Sequence, residues 1–228
     1  MAEGIYSLDG DLASLGALID VCERHKAILV EDDAHGSGTL GENGRGTLEH
    51  LGLEGRVPLV VTTFSKTFGA IGGVILGHAD VIEYIKHVAR AFLFSASLPV
   101  PAVAVADAIL GRLEAEGPRF VVELRQKSAY LRERLTSAAI DLGGGETHVM
   151  PVLVRDEARA FALHVALYER GLYLVPIIYP AVRRGQERLR LNVTRGHTYA
   201  ELDALADALL SCRDGLLSAS AEPSAPSS

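Results

Sequence analysis

The chain has 228 residues, of which 48% are hydrophobic and 22% are charged, a composition typical of a globular protein that argues against disorder. Its 22 basic and 29 acidic residues give a formal net charge of −7, which argues against a nucleic-acid groove or an anionic membrane surface as partner. A single phosphate group can still bind locally, because backbone amides and a few hydroxyls are sufficient for it.

Two cysteines, Cys22 and Cys212, are far apart and have no CxxC pair or histidine cluster beside them. They predict neither a disulfide framework nor a zinc site, so a reducing compartment is the simpler inference. No apolar run reaches the roughly 18 residues of a membrane span, and the first residues lack the basic and apolar regions of a signal peptide. We therefore expect a cytoplasmic protein without membrane or nucleic-acid partners.

The amino-terminal part of the chain alternates helical patterns with short, continuous apolar runs. The predicted elements are a helix over residues 12–24, a strand at 27–30, strands at 59–64 and 73–77, and a helix over 80–92. Apolar strands separated by helices or long connections indicate a sheet that is covered on both faces. The fold class that we predict is therefore α/β.

The pattern changes near residue 101 and predicts a second, smaller α+β domain over residues 101–216. Its predicted elements are helices over residues 102–116 and 118–139, a strand at 149–154, a helix over 157–170, strands at 172–178 and 188–193, and a helix over 199–211. Residues 217–228 are mostly small and polar and include two prolines, which predicts a disordered tail.

Polar residues follow two of the predicted strands at the point where each strand ends. Asp32 and His35 follow the first strand, and Thr63, Ser65 and Lys66 follow or end the second. In open α/β sheets, ligands bind at the carboxyl ends of the strands. We therefore expect a ligand site built from these two strand ends.

Lys66 is one of four lysines, and in the sequence it lies between Phe64 and Phe68 with several glycines after it. These neighbours predict a desolvated ammonium group that can act as a nucleophilic amine. A surface lysine in a turn is the alternative. A P-loop lysine would need a glycine-rich loop before it, whereas the glycines here follow Lys66.

Asp32 and His35 are three residues apart and can approach one ligand from two directions. A carboxylate there can hold a protonated ring nitrogen, and an imidazole can hydrogen-bond a phenolic oxygen or stack on a ring. A helix-capping aspartate with an ordinary loop histidine is the alternative. A metal site of Asp32, Asp33 and His35 is a weaker one, because no further cluster with ligand spacing accompanies them. The glycine-rich residues 36–46 suit a turn around a ligand or a neighbouring chain.

Arg188 and Arg190 alternate with leucines near the end of the chain, so both should point to the same face of a short strand. A fixed guanidinium can bind a carboxylate through two hydrogen bonds. An edge strand with a charged outer face is the alternative.

Five segments, taken together and in this order, resemble the α-oxoamine synthases, which are pyridoxal-phosphate enzymes of aminotransferase fold type I. This family includes 8-amino-7-oxononanoate synthase, 2-amino-3-ketobutyrate ligase, 5-aminolevulinate synthase and serine palmitoyltransferase. The resemblance extends over nearly the whole chain, from about residue 3 to about residue 210. The segments are GIYSLDGD (4–11), LVEDDAHGSGTLGENGRG (29–46), TFSKTFGAIGG (63–73), LFSASLP (93–99) and RLRLNVTRGHT (188–198).

The resemblance implies that residues 1–100 are the carboxy-terminal part of a cofactor-binding large domain with a mainly parallel sheet. It also implies pyridoxal phosphate as the cofactor and a role for each matching residue. Lys66 would be the Schiff-base lysine, and Asp32 would pair with the pyridinium nitrogen. His35 and Ser7 would donate hydrogen bonds to the phenolic oxygen, and Thr63 and Ser65 would bind the phosphate. Ser95 or Ser97 would bind the phosphate in a neighbouring subunit's site, and Arg190 would bind a substrate carboxylate.

The implied reaction condenses an amino acid with an acyl thioester, from acyl-CoA or an acyl-carrier protein, and decarboxylates the product to an α-oxoamine in a homodimer. An aminotransferase or lyase of the same fold, or a truncated, non-catalytic chain that retains dimerisation surfaces, are the alternatives. Family members are much longer, and the segment that precedes GIYSLDGD in them is absent here. That segment supplies the first strands, a phosphate loop and an aromatic residue over the ring, so we expect an unpaired sheet edge.

Overall fold

The computed structural model describes residues 1–212, and the tail predicted at residues 217–228 lies outside the described residues. The strands are Ala2–Glu3 (β1), Val30–Asp32 (β2), Leu59–Thr63 (β3), Gly73–Gly77 (β4), Val149–Leu153 (β5), Val175–Ile177 (β6) and Arg188–Asn192 (β7). The helices are Leu15–Arg24 (α1), Thr47–Leu51 (α2), Ala79–Val88 (α3), Arg90–Leu93 (α4), Val100–Ser137 (α5), Glu157–Tyr168 (α6) and Tyr199–Ser211 (α7). Of the helices in this described part, none is long and apolar enough to span a membrane.

The chain divides into two compact units. The first comprises residues 1–7 and 11–123, and the second comprises residues 8–10 and the chain from residue 124 onward. The predicted domain start at residue 101 lies at the beginning of α5, whereas the units divide inside that helix. A short early segment thus belongs to the second unit, which the spacing of residues in the sequence does not reveal.

Helix α5 is one continuous helix, so the prediction of two helices separated near Pro118 is wrong. Proline fixes φ near the helical value, and inside a helix it removes one backbone hydrogen bond. Gly117 before it has no Cβ, which removes one of the clashes that normally end a helix ahead of proline. The same absence allows a close approach, because a Cβ built on Gly117 would lie 2.1 Å from the backbone oxygen of Asn43.

The first unit contains a four-stranded sheet in the order β1-β2-β3-β4. Strands β1, β2 and β3 are parallel, and β4 runs antiparallel to β3. The predicted α/β fold with a mainly parallel sheet is confirmed. Because Asp32 pairs with Val61, the carboxyl ends of β2 and β3 lie side by side at the same end of the sheet.

Strand β2 lies later in the sequence than predicted. The apolar residues 27–29 remain outside the sheet, because pairing with β3 begins at Val30 and pairing with β1 at Glu31. The strand therefore ends on acidic residues, and the side chains of Glu31 and Asp32 point to opposite faces of the sheet.

The second unit contains an antiparallel sheet in the order β5-β7-β6. Its core joins leucines of α5, α6 and α7, among them Leu131, Leu167 and Leu209, to Met150 and Leu189 of the sheet, and all five are 0% exposed. This is the predicted smaller α+β part. The strand predicted at residues 172–178 is shorter, because only Val175–Ile177 pairs with β7.

The segment from residue 69 to residue 105 contains no buried residue, and we call it the open surface. Large apolar side chains on it, such as Tyr84, Phe92 and Phe94, are 66%, 62% and 81% exposed. Strand β4 also has no second neighbour among residues 1–212, in agreement with the predicted unpaired sheet edge. Short helices are normally stabilised by burying an apolar face, so this surface is built to be covered.

The glycine-rich loop after β2 is organised by the buried carboxylate of Asp33. Its Oδ1 accepts hydrogen bonds from the backbone N and the Oγ1 of Thr47, at 3.2 and 2.6 Å, and its Oδ2 accepts one from Ser37 Oγ at 2.9 Å. A Cβ built on Gly46 would lie 1.8 Å from Oδ2, and one built on Gly36 would lie 2.1 Å from Oδ1. The loop therefore needs glycine at both positions to close around the carboxylate.

Replacing Leu131 by alanine should lower the free energy of unfolding by about 2–5 kcal/mol, because the change leaves a cavity in a fully buried core. Leu110→Ala makes the same truncation on α5 at a side chain that is 48% exposed, and its effect should stay below about 1 kcal/mol. Urea unfolding followed by circular dichroism measures both variants. Equal losses would contradict the packing described above.

Replacing Asp33 by alanine should destabilise the first unit by about 3 kcal/mol, because buried donors of Thr47 lose their acceptor. The amides of residues 36–47 should then exchange with solvent much faster, which hydrogen-exchange mass spectrometry measures. The matched control is Asp20→Ala, which removes an exposed ion pair with Arg56 at 3.4 Å and should have little effect. Unchanged exchange in the Asp33 variant would show that the loop is held by other contacts.

Candidate functional site

The turns that follow β2 and β3 are hydrogen-bonded to each other at the carboxyl end of the first sheet. The backbone N of Asp33 donates to Val61 O at 2.8 Å, and Thr62 Oγ1 donates to Asp33 O at 3.4 Å. These bonds extend the contact between β2 and β3 past the last strand residue of β2. The residues predicted at the two strand ends therefore share one end of the sheet.

A second hydrogen bond joins the two turns further along the chain from the strand ends. Thr67 Oγ1 donates a 2.8 Å hydrogen bond to Ser37 O. A Cβ built on Gly38, which has φ +78°, would lie 2.2 Å from Thr67 Cγ2, so the two turns approach as closely as glycine allows. The residue directly after Lys66 is thereby fixed to the turn that contains Asp32 and His35.

Hydroxyl groups of Thr63 and Ser65 converge directly before Lys66. Thr63 Oγ1 lies 2.8 Å from Ser65 Oγ, and it accepts a 3.2 Å hydrogen bond from the backbone N of Ser65. Both residues are part of a turn that Gly72, with φ +104°, helps to close, since Phe64 N donates to Gly72 O at 2.9 Å. Two hydroxyls at this distance can donate to one phosphate group if Thr63 Oγ1 gives up its 3.2 Å hydrogen bond to Gly72 O.

Lys66 is exposed, so the prediction that Phe64 and Phe68 desolvate its ammonium group is wrong for this chain. The two rings instead contact each other edge to face, with centroids 5.4 Å apart, and Phe68 is buried. The P-loop alternative also fails, because the chain after Lys66 returns to the sheet as β4 and no helix begins at the lysine.

Asp32 is the last residue of β2 and is partly buried. Its Oδ1 accepts a 3.1 Å hydrogen bond from the backbone N of Ala34, which orients the carboxylate along the turn. His35 lies in the same turn and is partly buried, and its backbone oxygen accepts a 2.6 Å hydrogen bond from Thr39 Oγ1. Both residues thus have fixed backbones next to the turn of Lys66.

The metal alternative for Asp32, Asp33 and His35 has no structural support. Within residues 1–212 no group of three acidic, histidine or cysteine side chains is arranged to hold a metal ion. Asp33 in particular uses its two carboxylate oxygens for Thr47 and Ser37.

The remaining predicted residues of the first unit lie outside these two turns. Ser7 follows β1, which is the neighbour of β2, and its backbone N donates to Glu3 Oε2 at 3.3 Å. Ser95 and Ser97 are exposed and lie between α4 and α5 on the open surface.

In the second unit, Arg188 and Arg190 lie on the same face of β7, as predicted from their spacing. Arg188 is only 3% exposed, forms an ion pair with Asp9 and donates a 3.2 Å hydrogen bond to Leu8 O. It therefore has a structural role in fixing residues 8–10. Arg190 is partly exposed and lies opposite Pro151 of β5.

Sequence reasoning missed the structural roles of several residues that determine these arrangements. Asp33 and Thr67 hold the two turns of the first unit, and Asp9 neutralises Arg188 in the second. Burial, together with the positive charge of Arg190, lowers the pKa of His148 to about 4, so this imidazole is neutral at neutral pH. The glycines around Asp33 were the one signal of these contacts in the sequence. They indicate that some group approaches the backbone closely, but they do not identify that group.

The chain is similar to known proteins over nearly its whole length. The model of the aminotransferase class I and II family matches residues 2–209. The 8-amino-7-oxononanoate synthases of Bacillus pumilus and Symbiobacterium thermophilum are 40% and 41% identical over 203 residues, which is 89% of this chain and 52% of each relative. The chain thus spans about half the length of these relatives.

Solved structures give the same result for the fold. Serine palmitoyltransferase from Sphingomonas wittichii superposes with a TM-score of 0.89 at 32% identity, covering 94% of this chain and 54% of the neighbour. A lysine-to-alanine variant of serine palmitoyltransferase from S. paucimobilis, solved with a bound PLP–myriocin aldimine, superposes with a TM-score of 0.89 at 30% identity and the same coverage. Both relatives and neighbours bear names from the α-oxoamine synthase group, so the resemblance found in the motifs is confirmed, and the chain belongs to the aminotransferase class I and II family.

Proposed function

We propose that this chain carries the lysine-bearing part of a pyridoxal-phosphate-dependent acyltransferase, which condenses an amino acid with an acyl thioester and decarboxylates the product to an α-oxoamine. The observation that carries the proposal is the hydrogen bond from Thr67 Oγ1 to Ser37 O, which fixes the turn of Lys66 to the turn of Asp32 and His35. Lys66 as the covalent anchor and Asp32 as the ring-binding carboxylate would then act at one end of the sheet, where α/β folds bind ligands.

The residues present fit part of the cofactor. Thr63 and Ser65, with oxygens 2.8 Å apart, would hold its phosphate, and Lys66 would bind its aldehyde carbon. Asp32 would accept a hydrogen bond from the protonated pyridine nitrogen. When bound, pyridoxal phosphate supplies an electron sink for carbanion chemistry at the amino-acid α-carbon.

Other residues would orient the ring, the phosphate and the substrate. His35 and Ser7 would donate hydrogen bonds to the phenolic oxygen of the ring. Ser95 or Ser97 would contact the phosphate bound by a second subunit, which makes a homodimer the proposed assembly. Arg190 would bind the carboxylate of the amino-acid substrate through its guanidinium.

Lys66 would also move a proton during the reaction, by taking it from the substrate α-carbon through Nζ. An exposed, hydrated ammonium group suits neither this task nor nucleophilic attack. We therefore propose that the part of the fold that the longer relatives possess covers the open surface and removes water from around Lys66. The unpaired edge of β4 and the exposed rings of Phe92 and Phe94 support this proposal.

A second candidate function is a non-catalytic chain that retains only association surfaces. The exposed apolar residues of the open surface favour it, since they suit contact with another polypeptide as well as completion of an active site. The two candidates differ in whether the chain can bind pyridoxal phosphate covalently.

Adding pyridoxal phosphate to the purified chain should produce a visible absorption band of the cofactor bound to Lys66, and Lys66→Ala should abolish it. Borohydride reduction followed by peptide mass spectrometry should find the cofactor on Lys66. The matched control is Lys86→Ala on α3, an exposed lysine paired with Glu83 at 2.9 Å, which should leave the band unchanged.

The outcomes separate the candidate functions. A band in the chain alone supports a self-sufficient cofactor site. A band that requires the amino-terminal part of the Symbiobacterium thermophilum relative supports an enzyme completed by further polypeptide. No band under either condition overturns the proposed enzyme and leaves the association function.

A further inference from the structure

Glu31 is a buried acidic residue that the proposed function does not use. It is 0% exposed, and within residues 1–212 neither Oε1 nor Oε2 has a hydrogen-bond partner. Burying a carboxyl group without a donor is costly, whether the group is neutral or ionised. Its neighbour Asp32 points to the opposite face of the sheet, so Glu31 lies away from the turn of Lys66.

The side chain of Glu31 lies in an otherwise apolar row across the first sheet. Strand pairing places Ala2 and Val60 on its two sides, and Leu76 beyond Val60. Apolar residues of α1 and of the segment before β3, such as Ile19 and Val57, form a small core with Val60. Nothing in the packing of this row requires an acidic side chain.

Glu31 lines a cavity of about 260 Å³. This volume is below that of pockets that bind drug-sized ligands, so an occupant must be smaller than such a ligand. The residues that line the cavity are Glu31, Asp33, Arg45, Leu48, Glu49, Glu54, Gly55, Val57, Val60, Leu76 and Gly77.

The other charged residues of the cavity already have partners. Asp33 accepts hydrogen bonds from Thr47 and Ser37, and Glu49 accepts a 2.9 Å hydrogen bond from the backbone N of Arg45. At the rim, the exposed side chains of Arg45 and Glu54 form an ion pair at 3.5 Å. Among the four carboxyl groups that line the cavity, Glu31 is thus the one whose oxygens accept no hydrogen bond from the described residues.

The charge and lining of the cavity define the chemistry of this occupant. Four carboxyl groups face one guanidinium, which favours a cation. A metal ion does not fit, because residues 1–212 contain no set of three ligating side chains and four of the eleven lining residues are aliphatic. An ammonium group on a short alkyl chain would satisfy both the carboxylate and the apolar wall.

We propose that this cavity binds a small primary alkylammonium ion, with the ammonium group donating hydrogen bonds to the carboxylate of Glu31. The alkyl chain would contact Leu48, Val57 and Leu76. The site lies on the other face of the sheet from Asp32, so it is separate from the proposed cofactor site and its failure would leave that proposal untouched.

Burial and the negative charges of Asp33 and Asp32 raise the pKa of Glu31 to about 8. Burial also raises the pKa of Asp33, whereas hydrogen bonds from Asn43 and Arg45 outweigh burial and lower the pKa of Glu49. Because the fold favours the neutral form of Glu31, the contribution of this group to stability is fully present when the pH is below its ordinary pKa of 4.5. The contribution is lost as the pH rises through about 8. A bound cation would offset the loss, because it favours the ionised carboxylate.

Isothermal titration calorimetry of the purified 228-residue chain with n-butylammonium chloride tests the proposal. The association constant should rise roughly fivefold between pH 7 and pH 8, because the ionised fraction of a group with a pKa of about 8 grows from about a tenth to a half. The amine stays protonated over this range. Glu31→Gln keeps the shape of the side chain and should weaken binding at pH 8 by about tenfold or more.

Three controls make the result decisive. Glu54→Gln changes an exposed carboxylate at the rim and should alter affinity by less than about twofold. n-Butanol has the same alkyl chain without charge, and tetramethylammonium has charge without N–H donors, so both should bind much more weakly than n-butylammonium.

Some results would overturn the proposal. One is that n-butylammonium binds the Glu31→Gln variant as tightly as the unchanged chain, and another is that n-butanol binds as tightly as n-butylammonium. The others are an affinity for n-butylammonium that does not change with pH, and no binding of n-butylammonium at pH 8. Urea unfolding of Glu31→Gln checks that this variant is folded, and we expect it to be more stable than the unchanged chain at pH 8 and above.

Discussion

The buried carboxylate of Asp33 is the constraint on which the functional end of the first sheet depends. It binds the amide and hydroxyl of Thr47 and the hydroxyl of Ser37, and so closes the glycine-rich loop directly after Asp32. Ser37 in turn offers its backbone oxygen to Thr67. One buried side chain thus determines the positions of two turns, and through them the relative positions of Asp32, His35 and Lys66.

The bounds of helices and strands were predicted correctly where the hydrophobic periodicity of the sequence matches the hydrogen-bonded pairing of the structure. Helix α7 and strand β4 have the predicted bounds, and the strand ends that carry Asp32 and Thr63 lie together as expected from parallel pairing. The prediction failed where tertiary contacts decide. Strand β2 begins late because its partners begin there, and α5 continues through Pro118, where Gly117 removes one of the clashes that normally end a helix.

The site was predicted less completely than the fold, for a physical reason. A residue such as Lys66 can be found from its motif, but its solvation depends on what covers it, and here it is exposed. Glu31 is a buried residue whose environment was equally hidden from sequence reasoning. Its position in the strand was visible in the sequence, whereas the lack of a hydrogen-bond donor for it among residues 1–212 depends on how α1 and the neighbouring strands pack.

The segment formed by residues 8–10 has a consequence for the order in which the second unit folds. Asp9 forms an ion pair with Arg188, which lies 179 positions later, and Gly10 O accepts a hydrogen bond from Thr147 Oγ1. Contacts this distant in sequence close a long loop and are slow to form. Burying Arg188 before its carboxylate partner arrives would be costly, so the final packing of β7 follows the docking of residues 8–10.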